Sequence, residues 1–359
     1  MKKVLKKIGK YLSIIVGVIA LFLIIYLGWL TISDYKPLTV ENISMANNKI
    51  KKELDIDKEY SISTYNIGFG AYNQEFDFFM DGGTKSKAKD RKTVLENIEG
   101  SINTIKSINP DFSFIQEIDI NSSRSRKTDQ RKLISNGLGN NYTNSFAYNY
   151  KVPYIIYPFN DMHGKVCAGQ ATYSKYGFES AERITLPTNQ KWPDRLFGLD
   201  RCMIINRLKT KNNKELVLIN LHMSAYDKNG EYRQKQLKVL SDLLEKEYQK
   251  GNYVLAGGDW NHIIPITDIN KFAKKEAKPD WYSYIPKSFN PKGFRFEVDK
   301  NIATNRTAGI PYDKDINYTG IIDGFIVSDN IYITSKKGYN TEFKYSDHNP
   351  TMIKFKFKN

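Results

Sequence analysis

The sequence predicts an α/β domain framed by β-sheets and preceded by one membrane-spanning helix. Three observations predict it: an uncharged run from Tyr11 to Ile32, many short apolar runs of strand length, and two amphipathic stretches of helical period. A chain of 359 residues can bury the core of one large domain and still carry extra segments. With 26% charged and 40% hydrophobic residues, including 24 Tyr and 19 Phe, the composition excludes a disordered chain.

Residues 11–32 read YLSIIVGVIALFLIIYLGWLTI, long enough at ~1.5 Å per residue to cross a ~30 Å hydrocarbon layer. Lys2, Lys3, Lys6, Lys7 and Lys10 precede it, so the positive-inside rule makes 1–10 a cytoplasmic basic tail and puts the rest of the chain outside the cell membrane. A cleaved signal peptide is the competing reading. The apolar run is longer than a usual signal core, and no small-x-small site follows Leu30. Residues 33–57 are polar without a sustained period, which predicts a juxtamembrane stalk, and the main domain is expected over 58–359.

Ser61 to Ile67 is the first strand expected in that domain, followed by Gly68 and Gly70. Over Lys87–Ser107, Val94, Ile98, Ile102 and Ile105 recur at spacings of three and four, an amphipathic helix that Asn109-Pro110 stops. A strand ending at Glu117 follows, then a polar, basic loop over 121–132. Strands are next expected at Gln170–Ser174, Arg183–Leu186, Arg201–Leu208 and Glu215–Leu221. Arg233–Tyr248 places Leu237, Leu240 and Leu244 on one helical face, with Gly251 as its cap. Lys274–Tyr318 lacks apolar period and is expected to form loops near a site. Cys167 and Cys202 could pair outside the cell, but on antiparallel neighbouring strands the two thiols would fall at opposite ends, which argues against a bridge.

Several apolar runs end in polar residues that can do chemistry: Asn66, Glu117, His222, and Asp259 with Asn261. Ile321–Val327 holds Asp323 inside an apolar strand, where a lone charge is costly and a partner is expected. The chain closes with Ser346-Asp347-His348-Asn349-Pro350 before a last alternating strand. Such carboxylates, amides and imidazoles at strand ends suit metal-assisted phosphodiester hydrolysis, which is chiefly a problem of stabilising negative charge. Glu117 and the amide oxygen of Asn66 are candidate hard-cation ligands. His348 is the candidate general base, oriented by Asp323. Asp259 is placed to act on the nucleophile or leaving group, and His222 and Asn261 to hold the phosphate. The net charge of +15 favours polyanionic substrates, with Arg124, Arg126 and Arg306 as candidate arms and His163 as a further substrate contact.

The ordered set Ser63-Thr64-Tyr65-Asn66-Ile67-Gly68, Gln116-Glu117-Ile118-Asp119, Asn220-Leu221-His222, Gly258-Asp259-Trp260-Asn261, Ile322-Asp323-Gly324 and Ser346 to Pro350 resembles the motif series of the endonuclease/exonuclease/phosphatase superfamily. That superfamily includes pancreatic-type deoxyribonucleases, apurinic endonucleases, neutral sphingomyelinases and inositol-polyphosphate phosphatases. The resemblance covers about 58–359 and, together with the apolar run before it, points to a membrane-anchored bacterial member. It also implies a four-layered α/β sandwich of two packed, mostly antiparallel sheets flanked by helices, with Mg2+ or Mn2+ as cofactor. Asn66, Glu117 and Asp347 would serve the metal, His222 and Asn261 the phosphate, and Asp323 and His348 proton transfer. Tyr65 stands where the family often has Trp, and Trp260 where it often has Phe.

The function expected is an extracellular, membrane-tethered phosphodiesterase with nucleic acid as the leading substrate. A phospholipid or small phosphoester is the alternative substrate. A surface binding module without turnover is the alternative from another class.

Overall fold

The computed structural model describes residues 2–49, 52–225, 227 and 230–358. Helices are α1 (Lys2–Ile32), α2 (Arg91–Ile108), α3 (Gln130–Leu138) and α4 (Glu231–Gln249). Strands β1 to β8 are Val40–Asn42, Met45–Ala46, Tyr60–Asn66, Phe112–Asp119, Thr143–Ile155, Gly164–Ser174, Ser180–Thr185 and Cys202–Lys209. Strands β9 to β16 are Glu215–His222, Tyr253–Asp259, Phe294–Glu297, Asn305–Arg306, Thr319–Gly320, Asp323–Ser328, Ile331–Gly338 and Thr351–Phe357.

Two seven-stranded sheets form the framework, in the orders β1-β7-β8-β9-β10-β14-β11 and β15-β16-β3-β4-β6-β5-β2. Each is antiparallel except for one central parallel pair, β9 with β10 and β3 with β4. A parallel pair needs a crossover, and α4 and α2 supply the two crossovers. Alternation within strands then sets four layers. Ile62, Phe112, Phe114, Leu216, Leu255 and Phe325 meet between the sheets. On one outer face Val94, Ile98 and Ile105 of α2 pack on Ile115 and Ala171. On the other, Leu237, Leu240 and Leu244 of α4 pack on Val217 and Ala256.

The helix predicted from residue 87 begins at Arg91, because Asp90 caps it by accepting from the Thr93 N–H at 2.7 Å. Its end at Asn109, in the left-handed conformation, is where the sequence placed it. Both cysteines are free; Cys202 is buried, and the two lie on β6 and β8 of different sheets rather than on paired strands.

Residues 33–57 differ from the expected stalk. β1 pairs with β7 and β2 with β5, so this segment covers one edge of each sheet, and Leu54 is fully buried in the inter-sheet core. Sheet edges expose unpaired amides, and a polar segment that pairs with them is stabilised there. The main domain therefore starts before residue 58. α1 is long and apolar enough to cross a membrane and runs without a break from the lysine-rich end. Its C-terminal turns are seated on the domain through Tyr26 and Leu30, which bury against Val152 and Leu196.

Candidate active site

The parallel pairs place four chain ends at one rim, since β3, β4, β9 and β10 all run toward it. In register, Asp259 lies beside His222 on one side and beside Asp323 on the other. β16 is antiparallel to β3, so the loop before it delivers Asp347 and His348 to the same rim.

Glu117 reaches the site through a distortion. The ladder between β4 and β6 slips between Ile115 and Ile118, and Glu117 occupies the slip with φ 58°. A non-glycine residue there costs free energy that neighbouring structure must offset, and such bulges re-aim side chains. Gly257 and Gly258 serve the packing of the strand that carries Asp259. A Cβ on Gly258 would lie 1.9 Å from the Leu221 carbonyl oxygen, and one on Gly257 would lie 2.3 Å from the Phe325 ring. They let β10 sit tightly between its neighbours.

Contacts link the two halves of the site. The Asn66 Nδ2 group donates to Glu117 Oε1 at 3.1 Å and to Asp259 Oδ2 at 3.0 Å. Asp259 Oδ2 lies 3.3 Å from His222 Nε2 and 3.8 Å from His348 Nε2. His348 Nδ1 bonds Asp323 Oδ2 at 2.8 Å, and Asp323 is fixed in turn by its own N–H donating to Thr304 Oγ1. Asn261 donates from its backbone to Asp259 Oδ1, and its Nδ2 group donates to the Met223 carbonyl.

The electrostatics are those of crowded carboxylates. Burial lifts Asp347 to about 7, with Glu117 adding to the rise against His348 and Arg306. Burial also raises Asp259, opposed by His348 and assisted by Asp323. Although burial disfavours its charged form, the carboxylates of Asp323, Asp259 and Asp347 hold the His348 imidazole protonated well above the usual histidine range. His222 goes the other way, pushed well down by burial and by Arg201, and its Nδ1 is buried without a hydrogen-bond partner.

The donor set fits a hard divalent cation. Glu117 and Asp347 are neighbouring carboxylates, Glu117 raising the cost of ionising Asp347, while the Asn66 amide turns its Nδ2 group to Glu117 and its oxygen to the Gly68 N–H at 3.0 Å, so it joins a cation only with its amide turned. Asp259, Asp323 and His348 also bring three donor atoms within 4.8 Å of one another. Their fit is poorer, because the His348 Nδ1 is already committed to Asp323.

Of the expected substrate contacts, Arg126 stands outside the cleft. Its guanidinium donates to the carbonyls of Ala88 and Lys89 and ties one loop to another. Arg124 lines the cleft but is buried, forked onto Asp119 and stacked over Phe69 at 3.8 Å. Arg306 lines it too, donating to the Asn73 and Thr307 carbonyls while its Nε has no partner. His163 also lines the cleft, and its Nδ1 is a buried atom without a partner; burial and Arg124 lower it to about 3.

Two further residues belong to the site. The Asn305 Nδ2 group lies 3.0 Å from His348 Nε2, and its Oδ1 accepts from the buried Tyr282 hydroxyl at 2.6 Å. Arg201 lines the cleft beside His222, whose carbonyl its Nη1 reaches at 3.5 Å; burial lowers its pKa while Asp259 and Glu117 pull the other way. Its place at the head of a strand run, like those of the other site residues at strand ends, was the available signal.

No protein-family model matches the chain, and no curated protein matches its sequence. Solved structures do match its fold. The endonuclease/exonuclease/phosphatase from Beutenbergia cavernae superposes with TM-score 0.55 at 13% identity, over 84% of this chain and 72% of that one. The endonuclease/exonuclease/phosphatase from Bacteroides vulgatus gives 0.52 at 15%, over 84% and 100%. D. rerio TDP2 complexed with a single-strand DNA product gives 0.51 at 14%, over 83% and 99%. The fold is the four-layered sandwich of the endonuclease/exonuclease/phosphatase proteins, as the motif series implied.

Proposed function

We propose that this chain is a membrane-tethered, divalent-cation-dependent phosphodiesterase that hydrolyses P–O bonds by water attack. One observation carries this reading: a continuous line of contacts from Glu117 through Asn66 and Asp259 to His348, assembled from both sheets at one rim. Glu117, Asp347 and, with its amide turned from the Gly68 N–H, the Asn66 oxygen would hold Mg2+ or Mn2+. When bound, the cation supplies positive charge that offsets the carboxylate field and the charge of the phosphoryl group.

Once the charge of a bound cation offsets the carboxylate field that otherwise keeps its ring protonated, His348 would accept the proton of the attacking water, with Asp323 fixing the ring so that Nε2 faces Asp259 and the cleft. Asn305 holds that Nε2 edge in place before substrate arrives. Asp259 assists at the leaving oxygen, while His222, Asn261 and Arg201 surround the phosphate oxygens. His222, held neutral by burial, acts as a hydrogen-bond donor rather than a charge. Because every polar group that hydrolysis needs is present at the rim, a binding module without turnover has less support.

Tethering by α1, with the lysine-rich end in the cytoplasm and the domain outside, follows from the charge before the apolar helix. Nucleic acid as substrate draws on the net charge of +15 and on the DNA-bound TDP2 that shares the fold. Against it, Arg126 lies outside the cleft and Arg124 is neutralised by Asp119.

The test is hydrolysis of bis-p-nitrophenyl phosphate by the full-length protein in detergent micelles. Turnover with Mg2+ or Mn2+ that stops with EDTA is expected. Turnover that survives chelation would remove the cation from the mechanism, and no turnover with any divalent cation would remove the enzyme reading.

A further inference from the structure

We propose that α1 is a wall of the substrate cleft as well as an anchor, and that the cleft takes a bilayer lipid with a phosphodiester headgroup, admitted sideways from the outer leaflet. The inference rests on the phosphodiesterase reading and names the substrate of that same site.

A single cavity of about 800 Å3 carries the argument. It is lined by Glu117, Asp259 and His348 of the site and also by Leu23, Tyr26 and Leu27 of α1. The lining is mostly apolar, with Phe79, Met80, Ile155, Tyr157 and Phe197 in it, and also includes Asp81, Asn149, Thr188, Asn189 and Asp194. A phosphate site that opens along an apolar corridor onto a membrane-spanning helix suits a molecule with one charged end and one greasy end.

The seating of α1 is specific. The Tyr26 hydroxyl donates to the Tyr154 carbonyl at 2.9 Å, Trp192 Nε1 donates to Thr31 Oγ1 at 3.1 Å, and Arg195 pairs with Asp34 just past the helix. Depth follows from helix geometry. From Leu23 to Ile32 the helix rises about 13.5 Å, close to half of a ~30 Å hydrocarbon layer. The corridor therefore meets α1 level with the acyl chains of the outer leaflet.

The surface around the corridor agrees with that placement. Met80, Tyr157, Phe159 and Trp192 are each more than half exposed, at 55%, 58%, 72% and 59%. Such side chains are unfavourable in water and favoured at a membrane interface. A nucleic acid polymer would instead need an open basic groove, and of the three arginines that line this cleft Arg124 is committed to Asp119 and Arg306 to backbone carbonyls, which leaves Arg201 for one phosphate.

In the reaction, the water oxygen bonds to phosphorus and one of the two ester P–O bonds breaks. The departing oxygen takes up the proton that water gives to His348. One phosphomonoester and one alcohol result, and no other reactant is needed.

The experiment reconstitutes the full-length protein into vesicles of phosphatidylglycerol, phosphatidylcholine and sphingomyelin in equal parts, with Mg2+ or Mn2+. Lipid hydrolysis, bis-p-nitrophenyl phosphate hydrolysis and cleavage of a single-stranded DNA oligonucleotide are measured in parallel. Hydrolysis of a vesicle lipid is expected, and Met80→Lys, at an exposed position that tolerates lysine, should lower the lipid-to-reporter rate ratio at least tenfold. Leu27→Gln, on the helix wall, should do the same. Reporter turnover with every lipid spared would overturn the inference and leave the phosphodiesterase reading standing. Cleavage of the oligonucleotide with the lipids spared, or an unchanged ratio in both variants, would also overturn it. Silence toward all three substrates would remove the phosphodiesterase reading and this inference together.

Discussion

His348 Nδ1 lies 2.8 Å from Asp323 Oδ2, so a loop residue from one sheet is aimed by a strand residue from the other. Both side chains are buried, and the bond fixes which ring nitrogen faces the cleft. His348→Ala is expected to lower turnover by at least ~10²-fold. Asp323→Asn should also lower it, because an amide can present an N–H to Nδ1 and favour the wrong tautomer. Reporter kinetics check both, with circular dichroism confirming that each variant is folded. A rate within twofold of the parent protein would move the base elsewhere.

Cation dependence separates binding from proton transfer. Glu117→Gln and Asp347→Asn are expected to raise the Mg2+ concentration needed for half-maximal activity by ~10-fold or more, since each would remove a charged oxygen from the proposed cation site. His348→Ala should leave that concentration nearly unchanged while lowering the maximal rate. A metal titration of the three variants distinguishes the two effects.

Much of the site was legible because buried strands are apolar until they reach the rim. Asn66, Glu117, His222 and Asp259 each follow an apolar run, and parallel pairing brings all four together. Asn305 lies on a two-residue strand within a loop-rich stretch where no period marks it. The place of 33–57 was hidden for a similar reason, since strands of three and two residues are too short to show alternation. The seating of α1 was hidden by the opposite condition: the helix is apolar all round, so no face stood out.

Glu247 predicts an acid-sensitive element remote from the site. Burial would raise its pKa, but hydrogen bonds from Arg207, Lys250 and Asn252 outweigh burial and bring it down to about 2. A carboxyl depressed in the folded state stabilises fully above its unfolded pKa of ~4.3, and that contribution is lost as pH falls from there toward 2. Lys250 is half exposed, so solvent screens part of the interaction. Glu247→Gln is expected to lower Tm at pH 7 by a few degrees, and the gap between variant and parent should close as pH falls through 4. A pH series of thermal melts measures this, and a gap that persists unchanged at pH 3 would assign the effect to packing.

Leu54 tests where the folded domain begins. Its side chain is fully buried among Tyr60, Phe112, Phe178 and Leu208 between the sheets, and its N–H donates to the Lys209 carbonyl at 2.8 Å. Truncation to alanine removes buried methyl groups and leaves a cavity that rigid aromatic neighbours cannot fill, a change that costs ~2–5 kcal/mol. Leu54→Ala should therefore lower the denaturation midpoint, whereas Leu38→Ala, at an exposed position in the same segment, should leave it unchanged. A segment acting only as a tether would tolerate both equally. A chain starting at residue 58 would lose Leu54 together with β1 and β2, exposing one edge of each sheet, and is expected to aggregate under conditions in which a chain starting at residue 33 remains monomeric.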